Sequence, residues 1–292
     1  MDAAFFFQIA VNAIMLGLIY ALIAFGFSLI FGISSIFNFA HGETYMLSAV
    51  IAYYLITVAG IPGPLGILLC AVVVAIIGLG VEWIFYRPVR PKGLGTQDMF
   101  PPLIISVSLV SMIPAAVVLI SGTNERSIPS LIAGTIRVGS VVISTERLVI
   151  MLVALAIFVG LLFFIWKHRE GRAMAAMAQD FEAAMLQGVS LQKTNSLAFG
   201  IGFALAAVAA ALLAPIYYVD PTMGPAALLS TFVVVILGGV GSLPGTLIGG
   251  IILGAINSFG AAYLPGGTPT LAAFVLVMVI LVVRPKGLMG HD

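Results

Sequence analysis

Long runs of apolar residues alternate with short polar stretches along almost the whole chain. A helix needs about 20 apolar residues to cross roughly 30 Å of hydrocarbon. On this basis we predict nine membrane-spanning helices, at about 6–31, 44–59, 65–85, 101–120, 148–166, 196–217, 226–240, 246–263 and 270–283. The pattern predicts an all-α integral membrane protein whose residues 1–292 form a single transmembrane domain. The glycines of 238–250 make the least distinct boundary and predict close helix contact or a broken helix.

Composition supports a membrane location, because 62% of the residues are hydrophobic and only 8% are charged. Soluble domains carry about 25% charged residues. The net charge of +1 gives no indication of a nucleic-acid partner. The single cysteine, Cys70, lies in an apolar run, so we expect a small buried residue and no disulfide within the chain. No Lys or Arg precedes Arg87, so we expect no cleavable signal peptide.

The positive charges predict the orientation of the chain in the membrane. The loops 87–98 and 167–193 and the C-terminus together hold nine Lys and Arg residues: Arg87, Arg90, Lys92, Lys167, Arg169, Arg172, Lys193, Arg284 and Lys286. The remaining three, Arg126, Arg137 and Arg147, fall on the opposite side. Cytoplasmic loops carry the excess of Lys and Arg, so we predict an external N-terminus and a cytoplasmic C-terminus. An odd number of spans satisfies this arrangement.

The external loop 121–146 contains two β-prone triplets, 136–138 and 141–143, around Gly139-Ser140. Such a pattern predicts a short β-hairpin. The hairpin either docks an external partner or covers the surface, and the sequence does not choose between these roles.

The polar segment 167–193 is the main candidate for contact with the aqueous phase, since it carries seven of the chain's 23 Asp, Glu, Lys and Arg residues. Two roles suit it. A short helix in the segment would dock on a soluble partner, or it would lie on the lipid surface. The apolar residues Phe181, Met185 and Val189 form a stripe that serves either role, and the basic start KHREGR suits anionic headgroups.

Five residues define the predicted helix within this segment. Asp180 is its N-cap, with a carboxylate that accepts from N–H groups of the first turn. Glu182 places negative charge near the positive end of the helix dipole. Ala183 and Ala184 are small enough to let a partner surface approach. Gly188 ends the helix in a left-handed conformation.

Asn38, His41 and Glu43 are polar residues in an otherwise apolar setting, and we place them near the cytoplasmic end of the first span, in a tight turn. Intramembrane polar groups are candidates for function, so these residues are candidates to border a translocation path. A turn between helices also needs such residues. Ser106 and Ser108 are further path candidates, although serines within spans also bond to their own helix.

Two rival classes find little support in the sequence. An intramembrane enzyme needs a nucleophile with a base or a metal cluster, but His41, His168 and His291 show no zinc-binding spacing with acidic residues. An ion-coupled secondary transporter carries ionisable residues within its spans. Only Glu82 and Asp220 are candidates for such residues, and both lie close to the ends of predicted spans.

Several stretches resemble the permeases of branched-chain amino acid ABC transporters, the bacterial high-affinity Leu/Ile/Val importers. The opening NAIMLGLIYALIAFGFSLIFGISSIFNFAHGETYML (12–47) is similar to the first span of that family, and GRAMAAMAQDFEAAMLQGVS (171–190) is similar to its cytoplasmic loop. LGGVGSLPGTLIGGIILG (237–254) and RPKGLMG (284–290) match as well. EAA-x3-G (182–188) resembles the coupling motif of ABC importer permeases, although the Ile-x-Leu-Pro that ends the wider motif is absent.

The resemblance implies one permease half of an ATP-driven importer in the bacterial inner membrane, with a fold of the vitamin-B12-importer type. The implied partners are a second homologous permease, two cytoplasmic ATPase subunits and an external substrate-binding protein. The chain itself would hold no cofactor and hydrolyse no ATP, and it contains no G-x-x-x-x-G-K-[ST]. The cargo would be branched-chain or other neutral amino acids. An importer of urea or short amides and an ion-coupled secondary transporter remain as alternatives.

Overall fold

The computed structural model describes residues 3–89, 100–138 and 141–263, together with scattered positions between 273 and 289. The helices in this part are α1 (Ala3–Ser34), α2 (His41–Tyr53), α3 (Gly63–Val81), α4 (Arg87–Val89), α5 (Phe100–Ser121), α6 (Thr145–Lys167), α7 (Arg169–Gln179), α8 (Phe181–Leu186), α9 (Leu191–Leu213), α10 (Gly224–Gly238) and α11 (Leu243–Tyr263). π-Helical turns extend α2 over Tyr54–Val58 and join α3 to α4 over Glu82–Tyr86. The strands β1 (Thr135–Val138) and β2 (Val141–Ser144) lie between α5 and α6.

The prediction of a mostly helical membrane protein is confirmed. Within the described residues, six helices are long and apolar enough to cross a membrane: Ala4–Ser34, Gly63–Val89, Phe100–Ser121, Thr145–Lys167, Leu191–Leu213 and Leu243–Tyr263. They correspond to the first, third, fourth, fifth, sixth and eighth predicted spans. The second predicted span matches α2 with its π-helical turn, and the seventh matches the shorter α10. The ninth, 270–283, lies largely outside the described residues.

Burial separates a central pair of helices from a peripheral group. In the most apolar window of α1 and α9, 83% and 72% of the residues are buried. The corresponding values for the spans of α3, α5 and α6 are 22%, 17% and 22%. A helix that is apolar on all sides must be surrounded by other helices or by lipid. Helices α1 and α9 therefore form the core, and the outer faces of α3, α5 and α6 remain for lipid or another subunit.

Glycines allow the central helices to approach at the backbone. A Cβ on Gly26 of α1 would lie 2.7 Å from the carbonyl oxygen of Gly202 in α9. A Cβ on Gly202 would lie 2.8 Å from the carbonyl oxygen of Gly26. Gly17 of α1 meets the backbone of α11 at Ile251 in the same way. Small residues at crossings give the close packing on which helix association in membranes depends.

The turn between α10 and α11 shows both features expected of the glycine-rich stretch. Helix α10 ends at Gly238, and Gly239 and Gly241 have φ values of 98° and 82°, which favour glycine. The chain then reverses, so that the backbones of Gly238 and Gly245 are in direct contact. The predicted broken helix and the predicted close helix contact are therefore both confirmed.

The predicted β-hairpin is also confirmed. Strands β1 and β2 pair antiparallel, with Thr135 opposite Ser144 and Val138 opposite Val141. The two residues between the strands, 139 and 140, lie outside the described residues. The same loop is anchored by Arg126, which exchanges two backbone hydrogen bonds with Val219 at 3.0 and 2.8 Å.

The glycine crossing of α1 and α9 generates a stability prediction. Gly202→Ala places a Cβ against a backbone oxygen that cannot move independently, so we expect a loss of about 1–3 kcal/mol, as for other overpacked cores. Melting of the purified protein in detergent measures this loss.

Gly160→Ala is the matched control, because Gly160 lies within α6 and an added Cβ there meets nothing within 4 Å. Its expected effect is neutral or stabilising, since alanine favours the helix by about 1 kcal/mol over glycine. Equal melting temperatures for the two variants would contradict the proposed role of the crossing.

Candidate functional site

The segment between α6 and α9 folds into two helices that pack on the transmembrane bundle. His168 caps α7, its ring accepting a hydrogen bond from the Glu170 N–H at 3.3 Å. The apolar face of α7 points into the protein, with Met174 1% and Met177 2% exposed. Gly171 meets the backbone at the end of α6. Because this face is covered by protein, α7 does not use it to lie on lipid.

Helix α8 has the two caps that the sequence predicts. Asp180 Oδ1 accepts a hydrogen bond from the Ala183 N–H at 3.0 Å. At the other end Gly188 has a φ of 83°. The Gly188 N–H donates to Met185 O at 2.9 Å, and the Val189 N–H donates to Ala184 O at 3.1 Å. This pair of bonds is the Schellman motif, which satisfies carbonyls at a helix end. The local geometry of Asp180 and Gly188 is therefore confirmed.

The orientation of α8 corrects one prediction. We expected both alanines to face a partner, but Ala184 is only 5% exposed and packs inward. The reason is that Phe181, Ala184 and Met185 share one helix face by their spacing, and the apolar side chains on it pack against the core.

The exposed face of α8 consists of Glu182, Ala183 and Leu186. Leu186 is 84% exposed, an unusual position for a large apolar side chain next to water. Leu186 is not among the residues that the sequence predicts for this surface. Its spacing of four residues from Glu182 places it on the same helix face, and this spacing was the available signal.

Polar contacts join the two ends of the segment. Lys193 Nζ at the start of α9 donates to Glu170 Oε1 at 2.6 Å. This hydrogen bond lowers the pKa of the Glu170 carboxyl, and the positive charges of Lys193 and Arg169 act in the same direction. Arg87 Nη2 donates to Gln192 Oε1 at 2.9 Å. Exposed pairs contribute little to stability, but these contacts fix where α9 begins relative to α4 and α7.

Asn38, His41 and Glu43 lie deep inside the bundle, which corrects their predicted position. They are 0%, 0% and 2% exposed. The His41 ring donates from Nε2 to the carbonyl oxygen of Ile23 at 3.1 Å. Ile23 precedes the end of α1 by 11 residues, or about 16 Å. The predicted position near the end of the first span is therefore wrong for these side chains. The predicted tight turn is present, because the His41 N–H donates to Asn38 O at 3.1 Å across residues 39 and 40.

The physical reason for this position is the connection between α1 and α2. Residues 35–38 are not helical, and Ser35 has a φ of 54°. The chain turns back there and runs along α1 before α2 begins at His41. Tyr86 OH donates to Asn38 Oδ1 at 3.2 Å and fixes the returning segment to the end of α3.

Glu43 lies where the first turns of α2 and α10 meet. Its carboxylate lies against Gly224, the first residue of α10, and the neighbouring Gly42 contacts the Gly224 carbonyl and Leu228. Glu43 Oε2 is buried and makes no hydrogen bond. A carboxylate at a helix start interacts favourably with the helix dipole.

Ser106 and Ser108 bond within α5, at 2.9 Å to Leu103 O and 2.8 Å to Ile104 O. Ser106 is buried and Ser108 is exposed, so the two hydroxyls do not share a surface. Within the described residues, no group of three His, Cys, Asp or Glu side chains is arranged to hold a metal ion.

These features describe a multi-span membrane protein with a structured polar loop between two of its spans. A family model described as "Branched-chain amino acid transport system / permease component" matches residues 9–284. The chain therefore belongs to the family of permease components of branched-chain amino acid transport systems.

Individual relatives agree with this assignment. The chain is 36% identical to the high-affinity branched-chain amino acid transport system permease protein BraD of Pseudomonas aeruginosa, over 98% of this chain and 96% of BraD. It is 35% identical to the corresponding LivH protein of Escherichia coli K12, with the same coverage. A probable branched-chain amino acid transport permease, LivH of Methanocaldococcus jannaschii, is 25% identical over 96% of this chain and 91% of its own length.

The fold also has a solved counterpart. A chain in the structure of PsaBC from Streptococcus pneumoniae in complex with Fab superposes with a TM-score of 0.52. The match covers 94% of this chain and 91% of the other at 13% sequence identity. At that identity the likeness concerns the fold alone.

Proposed function

We propose that the protein is the permease subunit of an ATP-binding cassette importer that moves branched-chain amino acids across the bacterial inner membrane into the cytoplasm. The observation that carries this proposal is the family match over residues 9–284, together with relatives of that name at 33–36% identity over nearly the whole chain. An importer of urea or short amides is not favoured by these relatives. The chain is a transporter subunit, and separate ATPase subunits hydrolyse the ATP.

The proposed topology has nine spans, an external N-terminus, a cytoplasmic C-terminus and a fold of the vitamin-B12-importer type. The distribution of Lys and Arg supports it, with nine on the cytoplasmic side and three outside. The contact between Arg87 and Gln192 agrees, because it joins two loops that this topology assigns to the cytoplasm. The hairpin of β1 and β2 then faces the exterior.

The proposed assembly contains a second homologous permease, two ATPase subunits in the cytoplasm and an external substrate-binding protein. We assign ATPase coupling to α8 and its caps, Asp180 and Gly188. The exposed residues Glu182, Ala183 and Leu186 form the contact surface, and the buried Ala184 sets the helix against the bundle. Docking of a partner there would remove the Leu186 side chain, which is 84% exposed, from water.

Asn38, His41 and Glu43 are buried in the described conformation, so the helices around them must separate before these residues can border the path. They border the path when the starts of α2 and α10 separate, because Glu43 lies in the seam between these helices. Ser106 and Ser108 have no part in this proposal, since both hydroxyls bond within α5.

The coupling assignment predicts the effect of Gly188→Val. An added Cβ meets no atom within 4 Å, so the change acts only through the positive φ, at a cost of about 1–2 kcal/mol. The chain should insert and pair with its sister permease. It should lose ATPase binding, or keep ATPase whose hydrolysis no longer responds to loaded binding protein. Glu182→Lys should act in the same direction more mildly.

Gly60→Val is the matched control, because Gly60 also has a positive φ, 67°, and no atom lies within 4 Å of an added Cβ. Gly60 falls on the external side of the proposed topology, so this variant should keep its coupling. Full substrate-stimulated hydrolysis in the Gly188→Val complex would remove α8 from the mechanism.

A second prediction concerns specificity. An amino acid carries two charges, and stripping water from an unpaired charge costs several kcal/mol. The apolar helices offer few ionisable side chains, so a wide and weakly interacting path is favoured and selection falls to the binding protein. Exchanging the binding protein while keeping this chain should change which amino acids are taken up. Uptake that keeps the original preference after the exchange would place selectivity in the permease.

A third prediction tests the role of His41. If the residue borders the path, His41→Ala lowers uptake per assembled complex while the amount of complex in the membrane is unchanged. The alternative is a purely structural role, in which the lost contact with Ile23 O reduces the amount of folded complex. In that case uptake per surviving complex stays normal, and the path assignment is wrong.

A further inference from the structure

A cavity of about 420 Å³ lies between α1, α10 and α11. It is separate from both the α8 surface and the Glu43 seam. Its walls carry the polar side chains of Asn12, Tyr20, Ser230, Asn257 and Ser258, beside apolar residues that include Leu16, Val233 and Leu253. The described residues that line it include no Asp, Glu, Lys or Arg.

Two hydrogen bonds between α1 and α11 set the polar wall. Asn12 Nδ2 donates to Ser258 Oγ at 3.3 Å, and Asn257 Nδ2 donates to Tyr20 OH at 3.2 Å. Asn12 and Tyr20 are eight residues apart on α1, a distance of about 12 Å along the helix axis. Their partners Ser258 and Asn257 are adjacent on α11, and the long Tyr20 side chain leans toward the start of α1, so the two pairs lie side by side on the wall.

Each pair retains hydrogen-bonding capacity after these contacts. The Tyr20 and Ser258 hydroxyls accept in the observed bonds, so their own hydrogens are available to donate. The Asn12 and Asn257 amides donate, so their carbonyl oxygens are available to accept. The wall thus offers donors and acceptors side by side without a formal charge.

Such a wall is unsuited to hydrocarbon. Unpaired polar groups at membrane depth are costly in lipid, and they are found facing water-filled cavities or other protein. Asn12, Tyr20 and Asn257 are each partly exposed in the chain, so this face of the bundle meets water or a partner subunit.

We infer that this cavity is a transient binding site on the transport path for a zwitterionic amino acid with an aliphatic side chain. The inference rests on the proposed function and adds where the permease meets its cargo. The ammonium group bonds the Asn12 or Asn257 carbonyl oxygens, and the carboxylate accepts from the Tyr20 and Ser258 hydroxyls. The aliphatic side chain packs against Leu16, Val233 and Leu253.

The neutral wall suits passage rather than storage. Conduction requires binding strong enough to admit a solute and weak enough to release it. Hydrogen bonds from neutral groups to a zwitterion meet both conditions, whereas an ion pair in a dry interior would hold the solute. The wall does not choose among neutral amino acids, so that choice stays with the binding protein. It disfavours only lysine and glutamate, whose third charge would find no partner among the described lining residues.

Cysteine labelling tests access and occupancy. Ala226 lines the cavity and is exposed to it, and the only native cysteine, Cys70, is buried. In the assembled complex, Ala226→Cys should react with a small charged thiol reagent that does not enter lipid. Millimolar L-leucine should slow this reaction, and L-lysine and L-glutamate should not. Ile76→Cys on α3 is the control, since Ile76 is 62% exposed on a peripheral helix and should remain unreactive.

Transport variants test the polar wall. Tyr20→Phe removes one hydroxyl and keeps the ring, so uptake per assembled complex should fall roughly tenfold for one lost hydrogen bond to a charged group. Protection of Ala226→Cys by leucine should weaken in parallel. Tyr263→Phe is the matched control, because Tyr263 is 45% exposed at the end of α11 and outside the described cavity lining.

The outcomes separate this inference from the proposed function. If the unaltered complex takes up no leucine, the proposed function fails. If uptake is normal but Ala226→Cys does not react, or reacts without protection by leucine, only the cavity site is overturned. A loss of complex in Tyr20→Phe with unchanged uptake per complex and unchanged protection also overturns it, because the two hydrogen bonds would then serve only to hold α1 and α11 together.

Discussion

The backbone contact of α1 with its neighbours is the constraint on which the other parts of the structure depend. Apolar side chains gain little by leaving lipid for a protein interior, so close packing must hold the helices together. Gly26 brings α1 against α9, and Gly17 brings it against α11. Because α1 is buried along most of its length, the positions of these helices follow from it.

Both regions to which we assign a function are built on this core. Helix α7 packs over the C-terminal end of α1, where Gly32 faces Ala178. The capped α8 leads directly into α9, which crosses α1 at Gly202. At the other end of α1, Asn12 and Tyr20 form one wall of the polar cavity. A displacement of α8 by a partner would therefore act on a helix that contacts the core of the permease.

The sequence predicts features that depend on contacts between residues close together in the chain, and it does not predict those that depend on distant residues. The caps at Asp180 and Gly188 rest on contacts within a few residues, and the spans rest on local hydropathy. The depth of His41 could not be predicted, because it depends on a bond to Ile23 and on the reversal at Ser35. The inward face of Ala184 depends on the bundle beneath α8. The Asn12–Ser258 bond joins residues 246 positions apart, and no local pattern indicates such a pairing.

The distribution of charge agrees with a division of labour in the assembly. The segment 167–193 concentrates charge where the soluble partners are proposed to dock, and the described cavity wall is neutral. A charged wall would bind a zwitterion through ion pairs in a low-dielectric site. Separating such a buried pair costs several kcal/mol. Release would then become the slow step of transport. A permease that leaves selection to an external binding protein gains by keeping its interior polar but uncharged, because hydrogen bonds alone can replace part of the water that the cargo gives up.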